Sequence, residues 1–345
     1  MLGFLKWALG KTRVYGLNHA VLNMKLPPES MWMNMGYWKN TGDFPEACQA
    51  LLDQVLETGL ATERSPSVRI LDVGCGCGDQ SAYIASLTYG ALDKTPNIAL
   101  TASGSGFNSS DGGSDPALRH IIGKESLKPL VNTYIGITLE PSQAQIARQR
   151  IRLQQKRNNG QGSCSSADVF CADGAKPSSW TGELQNSISN IVGTTHDPDT
   201  STWLLALDTM YHFRPSRLPI LHYARNTLHA SFMAYDLLLA DNTSWWQRLR
   251  MRLVCWITGS PFGNFLTREE YVRLLVAAGY EASQIEIKDV SRHVFAGISE
   301  FLGQRLQDGQ PYGLNVGKFR GAKLLFGWWA RSGVVRGVVV VARRS

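Results

Sequence analysis

The order of apolar and polar positions along the 345 residues sorts the chain into strands and helices. Residues 68–73, 134–139, 203–208, 231–239 and 334–342 are short, nearly continuous apolar runs. Such runs mark strands buried on both faces. Shorter runs at 169–172 and 285–290 read as strands too. Between them lie helical spacings at 79–87, 141–158, 215–229, 244–258, 268–278 and 318–329. Pro141 opens one helix in its first turn, where no amide partner is lost. Thr267 caps another, with Glu269 and Glu270 in the first turn and Gly279 as its stop. Strands that alternate with helices predict an α/β fold: a mostly parallel, seven-stranded sheet with helices on both faces.

Two stretches depart from this alternation. Residues 101–116, inside a longer change of character over 90–130, are Gly, Ser, Asn and Asp almost throughout. They bury too little apolar surface to offset ordering and are expected to form a disordered insertion. Residues 176–200 read as a second loose insertion. No internal repeat is present, and one domain with a helical cap at 243–280 is expected. In the cap, Trp245, Leu249, Leu253 and Trp256 fall at i, i+4, i+8 and i+11 and share a helix face, with Arg248, Arg250 and Arg252 interleaved. Three readings are open for that stripe: packing on the core, the wall of a substrate chamber, or an interfacial helix.

Composition narrows the class. With 43% hydrophobic and 18% charged residues the chain is an ordinary globular protein. No window reaches the ~18 consecutive apolar residues of a membrane span. The first 13 residues lack the basic-then-apolar order of a signal peptide. Six cysteines are scattered at 48, 75, 77, 164, 171 and 255, two of them within one glycine-rich turn. That distribution argues against a disulfide framework and for a reducing, cytoplasmic setting. Cys75-x-Cys77 has no companion pair at ligand spacing, so no metal is expected. The net charge of +7 is uneven: from Phe213 onward 18 Lys and Arg face 9 Asp and Glu, an excess of +9 against −2 before it. A solvated basic surface, an anionic substrate and a peripheral membrane contact all fit this excess. Nucleic acid does not, because no recognised binding module accompanies the arginines. Oligomeric state is not legible.

The most informative run is Ile70-Leu71-Asp72-Val73-Gly74-Cys75-Gly76-Cys77-Gly78. An apolar strand ends in a carboxylate and passes at once into Gly-x-Gly-x-Gly, with a helix starting at Asp79. Glycine lets the backbone turn tightly and approach a ligand, which then sits at the turn and helix N-terminus. A dinucleotide fingerprint requires Gly-x-Gly-x-x-Gly, and Asp79 occupies the place of its last glycine.

The form found here resembles motif I of the class I S-adenosylmethionine-dependent methyltransferases, and the resemblance runs over about residues 30–345. It implies a Rossmann-like fold, S-adenosylmethionine as cofactor, and a small-molecule acceptor. On its terms residues 1–66 form a helical segment over the cofactor site and 67–345 the methyltransferase domain. Asp72, Gly74, Gly76 and Gly78 become cofactor residues. The second strand usually ends in an acid that binds the ribose; here that position is Thr138. However, Gly136-Ile137-Thr138-Leu139 followed by Gln143 is similar to the variant in the tocopherol methyltransferase and cyclopropane fatty-acid synthase branches. In that variant threonine and glutamine serve the ribose, which assigns Thr138 and Gln143. Glu140 is a substitute acid or simply a helix-N-terminal glutamate.

The same resemblance makes Asp173, with Gly174 after the third strand, the adenine residue. It places Asp208, at the end of the fourth strand, beside the transferable methyl. There the cyclopropane synthases carry Glu-His-Phe, whereas this chain has Tyr211-His212-Phe213. The missing glutamate argues against cyclopropanation. Tyr211 and His212 are the candidate catalytic side chains, with His212 read either as a general base or as a packing and orienting residue. Asn34, in Met31-Trp-Met-Asn34-Met-Gly-Tyr37-Trp38, resembles the segment folded over the cofactor and is assigned to it. Residues 261–267 and 278–280 also look like this branch and would shape a substrate chamber. The tryptophan-rich cap suggests a lipophilic, natural-product or lipid-like acceptor. A protein that binds S-adenosylmethionine without catalysis, and a lipid or sterol-type C-methyltransferase at a membrane surface, are the alternatives.

Overall fold

A computed structural model of the chain describes residues 26–61, 67–88, 129–157, 164–192, 200–312, 314 and 317–344. The expected insertion at 101–116 lies outside the described residues. Seven strands form one sheet: β1 (Ser67–Val73), β2 (Val131–Thr138), β3 (Ser166–Cys171), β4 (Thr200–Leu207), β5 (Ser231–Leu239), β6 (Ile285–Asp289) and β7 (Val335–Ala342). Their order is β3-β2-β1-β4-β5-β7-β6. The first five are parallel, and β7 runs antiparallel between β5 and β6. Chain order reverses across β1 and β4, so a crevice opens at their carboxyl ends, the usual ligand position in such sheets. Register aligns those ends, with Asp72 beside Gly136 of β2 and Leu205 of β4.

Nine helices follow in chain order among the described residues: α1 (Phe44–Leu60), α2 (Asp79–Ala85), α3 (Pro141–Arg157), α4 (Gly182–Val192), α5 (Leu218–Asn226), α6 (Trp245–Thr258), α7 (Arg268–Ala277), α8 (Phe295–Gly309) and α9 (Arg320–Ser332). They cover both faces of the sheet, and two apolar clusters result. Ile70 joins one cluster and its neighbour Leu71 the other, the alternation of a strand buried on both sides. Helix ends follow their side chains: Asp43 caps α1, and Ser244 and Thr267 close capping boxes on α6 and α7. All six cysteines are free.

Three differences from the pattern reading have physical causes. Residues 182–192, expected within a loose insertion, form α4; Leu184, Ile188 and Ile191 stand at i, i+4 and i+7 and are buried under the sheet. The polar residues between them hide the short period. Helix α8 was not anticipated; it pairs with α9, and its Phe295 and Ile298 are buried. Residues 243–280 divide between two settings. Helix α7 packs on α5 and β5 in the covering layer, whereas α6 buries only Met251 and Cys255. The stripe Trp245, Leu249, Leu253 and Trp256 is 50–81% exposed, so it does not pack on the core. No helix among the described residues is long and apolar enough to cross a membrane.

Candidate functional site

The end of β1 sets the geometry. Asp72 is fully buried beneath the glycine turn, where its Oδ2 accepts from Gln80 Nε2 at 2.7 Å and from the Tyr134 hydroxyl at 2.5 Å. Burial raises its carboxyl to about 6, against those two hydrogen bonds. The backbone then turns, with the amides of Gly74 and Cys75 both donating to the Ile137 carbonyl.

The three glycines all have positive φ but face different neighbours. A Cβ on Gly74 would fall 2.5 Å from Thr209 Oγ1, and one on Gly78 2.5 Å from Ala147 Cα in α3. Gly76, at φ +58°, would meet only Met33 Sδ, at 3.4 Å. Gly74 and Gly78 therefore let the turn pack against the segment that follows β4 and against α3. Gly76 is the one that leaves the backbone open toward the crevice.

That crevice is a cavity of about 290 Å³. Of the residues expected from sequence, Asn34, Gly74, Gly76, Thr138, Gln143, Asp208, Tyr211 and His212 meet at its wall. Asp72, Gly78, Asp173 and Gly174 do not line it. Gly174 packs toward Val73 and Phe213. Asp173 accepts from its own Ala175 amide at 2.9 Å and lies 3.5 Å from Lys176. Its carboxylate is thus occupied within its own turn. Glu140 is exposed and also outside the wall.

An extended strap, residues 28–38, forms one side of the cavity. Asp79 accepts the Met31 amide and ion-pairs with Arg150 at 3.0 Å, and Arg150 also donates to the Pro28 and Glu29 carbonyls. Further along, the Met35 amide donates to Asp208 Oδ2 at 2.9 Å. Asn34 uses its whole side chain on the strap: Nδ2 donates to Cys48 O and Oδ1 accepts from the Gly36 amide. It is buried and shapes the wall rather than presenting free polar atoms. Met33 reaches over the turn, its sulfur 3.9 Å from Cys77 Sγ and 3.8 Å from Gln143 Nε2. Opposite it, Thr138 Oγ1 donates to Gln143 Oε1 at 2.7 Å, coupling the end of β2 to the first turn of α3.

The far end carries the titratable groups. Asp208 has φ +57°, a left-handed conformation that costs a non-glycine residue energy and gathers at functional sites. Burial drives its carboxyl up to about 8, opposed by Tyr211 and the Met35 amide. Its Oδ1 is buried with no hydrogen-bond partner among the described residues. Tyr211 and His212 sit on the short helical turn Met210–His212. Burial raises the Tyr211 hydroxyl well above its ordinary value and lowers His212. That shift of His212 favours the neutral imidazole, although the residue stays exposed, and its Nδ1 lies 3.2 Å from Ser260 Oγ.

A buried polar network holds this turn. Asn264 Nδ2 donates to the Tyr211 and Phe213 carbonyls. Arg217 donates to the Met210 and Asn264 carbonyls and pairs with Asp236 at 3.2 Å, both side chains being excluded from solvent. Tyr271 OH donates to the other Asp236 oxygen at 2.9 Å. Sequence reasoning missed Asp79 and Arg150 as strap anchors and Arg217 and Asp236 as the support of the turn. Asp79 carried a weak signal, an acid in place of a glycine; Arg150, one of several arginines in α3, and Arg217, just before α5, carried none.

No family model matches the sequence. Over 80 residues it is 34% identical to the cyclopropane-fatty-acyl-phospholipid synthase of Escherichia coli (strain K12), a stretch that makes up 23% of this chain and 20% of that protein. The chain thus matches about a fifth of that relative's length. Among solved structures, the mycolic acid cyclopropane synthase CmaA1, complexed with SAH and CTAB, superposes with a TM-score of 0.53 at 15% identity, covering 95% of both chains. A putative sarcosine dimethylglycine methyltransferase from Galdieria sulphuraria gives 0.51 at 13% identity, covering 90% of this chain and 92% of that one. The [4+2]-cyclase SpnF gives 0.50 at 18% identity, covering 95% and 91%. The chain has the fold of the S-adenosylmethionine-dependent methyltransferases.

Proposed function

We propose that the chain binds S-adenosylmethionine in this cavity and directs methyl transfer to a small lipophilic acceptor. The carrying observation is Gly76. Of the turn's three glycines, it lines the cavity with only the end of the flexible Met33 side chain, at 3.4 Å, where a Cβ would stand, at the crevice where chain order reverses. The polar groups at the wall fit such a ligand: the Thr138–Gln143 pair for the ribose hydroxyls, and the buried Asp208 with an unpartnered oxygen at the far end.

The cofactor, when bound, supplies an electrophilic methyl on a sulfonium centre. The chain's residues have the remaining tasks. The turn and strap orient the ligand and exclude water, and holding a nucleophile in line can supply roughly 7–11 kcal/mol of the barrier in well-aligned cases. Neutral His212 takes a proton where the acceptor must lose one, and Ser260 orients its ring. Tyr211 packs against His212 with ring centroids 4.2 Å apart and borders Asp208. Asp72 supports the turn from beneath, while Asp173 and Gly174 lie outside the cavity wall, with the Asp173 carboxylate held by the Ala175 amide and Lys176.

The test is calorimetry with S-adenosylmethionine, S-adenosylhomocysteine and NAD, followed by incubation with a lipid extract and assay of S-adenosylhomocysteine. Binding of the first two ligands with turnover is expected. A second reading, cofactor binding without methyl transfer, draws on the fact that a protein described as a cyclase has the same fold. Binding without turnover would favour it, and no binding would defeat both.

A further inference from the structure

We infer that α6 docks the protein on a membrane surface carrying anionic headgroups. The observation is the arrangement of side chains around this helix. At about 100° per residue, Met251 and Cys255, its buried residues, point in one direction. Trp245, Trp246, Leu249, Leu253, Trp256 and Ile257 fill a continuous arc of roughly 120° on the opposite side. Each of the six is at least 50% exposed. Helices of globular proteins turn this kind of stripe inward; here it faces outward, and the attachment to the core is the narrow face.

Charge decides what the stripe would meet. Helix α6 contains no acid and three arginines. Arg250 falls about 20° beyond one margin of the apolar arc and Arg252 about 20° beyond the other, with Arg248 behind it. Arg250 and Arg252 are exposed and make no ion pair among the described residues. The chain from Phe213 onward carries the +9 excess. An apolar face with basic margins and several tryptophans is the composition of a helix lying in the plane of a bilayer interface. A protein partner fits less well: one helix face offers on the order of several hundred Å², short of the ~800 Å² per side of a stable interface.

The position of α6 connects this surface to the cavity. Ser260, two residues past the helix, contacts the His212 ring, and Arg214 donates to the Gly259 carbonyl that ends α6. The C-terminal end of the docked helix therefore stands at the His212 side of the cavity, where an acceptor taken from the bilayer would enter. The docking itself does not depend on methyl transfer, so its test is separable from that of the proposed activity.

The experiment is co-sedimentation of the full chain with vesicles of phosphatidylcholine alone or mixed with phosphatidylglycerol. Preferential binding to the mixed vesicles is expected. Trp246→Ser/Leu253→Ser/Trp256→Ser should lose at least tenfold in partitioning on both compositions. Arg250→Gln/Arg252→Gln should lose roughly twenty-five-fold on anionic vesicles, at about fivefold per basic residue, and little on neutral ones. Circular dichroism and melting checks that both variants remain folded. Absence of vesicle binding by the unaltered protein, or equal binding by the variants, would overturn the inference. So would concentration-dependent self-association that the tryptophan variant abolishes, since a second copy would then cover the face.

Discussion

The three glycines of the β1 turn should behave differently when each is given a Cβ. Every one has positive φ, so alanine pays a left-handed strain of about 1–2 kcal/mol at each position. Gly78 adds a steric conflict: the new atom lies 2.5 Å from Ala147 Cα, which is backbone of a packed helix and cannot rotate away. Overpacking of this kind costs a further ~1–3 kcal/mol, so Gly78→Ala should lose about 2–5 kcal/mol. Gly74→Ala meets Thr209, a stiff β-branched side chain, and should fall in the same range. Gly76→Ala meets only the end of the Met33 side chain at 3.4 Å and should lose little beyond the strain. Urea denaturation measures the stabilities, and calorimetry with S-adenosylmethionine measures affinity on the folded protein. Gly76→Ala should fold but bind at least tenfold more weakly, and Gly76→Val more weakly still. Equal destabilisation at positions 76 and 78 would refute the assignment of their neighbours. A folded Gly76→Val variant with unchanged affinity would remove this turn from the cofactor site.

Further outcomes follow from the polar groups. Asp208 titrates near 8 in the folded chain against about 3.9 when unfolded. The folded state therefore holds a proton that the unfolded chain releases, and stability should fall as pH rises from about 4 to 8. Asp208→Asn should flatten that decline, by an amount on the order of a few kcal/mol; urea midpoints between pH 5 and 9 that stay parallel to the parent would contradict it. Arg217→Met leaves Asp236 buried and unpaired, a loss of about 3–5 kcal/mol. Adding Asp236→Asn should restore much of it, and a double variant no more stable than the single would show that charge is not the cause. Asp173→Ala should leave cofactor affinity within about twofold, since that carboxylate is already held by Ala175 and Lys176; a tenfold loss by calorimetry would return it to the adenine.

Much of this architecture is local and was therefore legible in the sequence. The five apolar runs became strands because continuous Val, Ile and Leu suit a surface buried on both sides. The β1 turn was readable because only glycine tolerates three positive-φ positions in five residues. Thr138 and Gln143 were assigned through the resemblance to the tocopherol methyltransferase and cyclopropane synthase branches, and their side chains do meet. What the sequence by itself could not decide were relations between segments far apart in the chain. It marked three equivalent glycines; the tertiary structure distinguishes them by whether Thr209, Met33 or Ala147 stands opposite. It showed an apolar stripe on α6 but not its direction, because periodicity identifies a face without saying which way it points. Arg150 against Asp79 and Arg217 against Asp236, 71 and 19 residues apart, leave no local pattern. Folding supplies those partners by closing the sheet. The same closure buries Asp208 beneath the strap and moves its ionisation toward neutral pH, because water that would stabilise the charge is excluded.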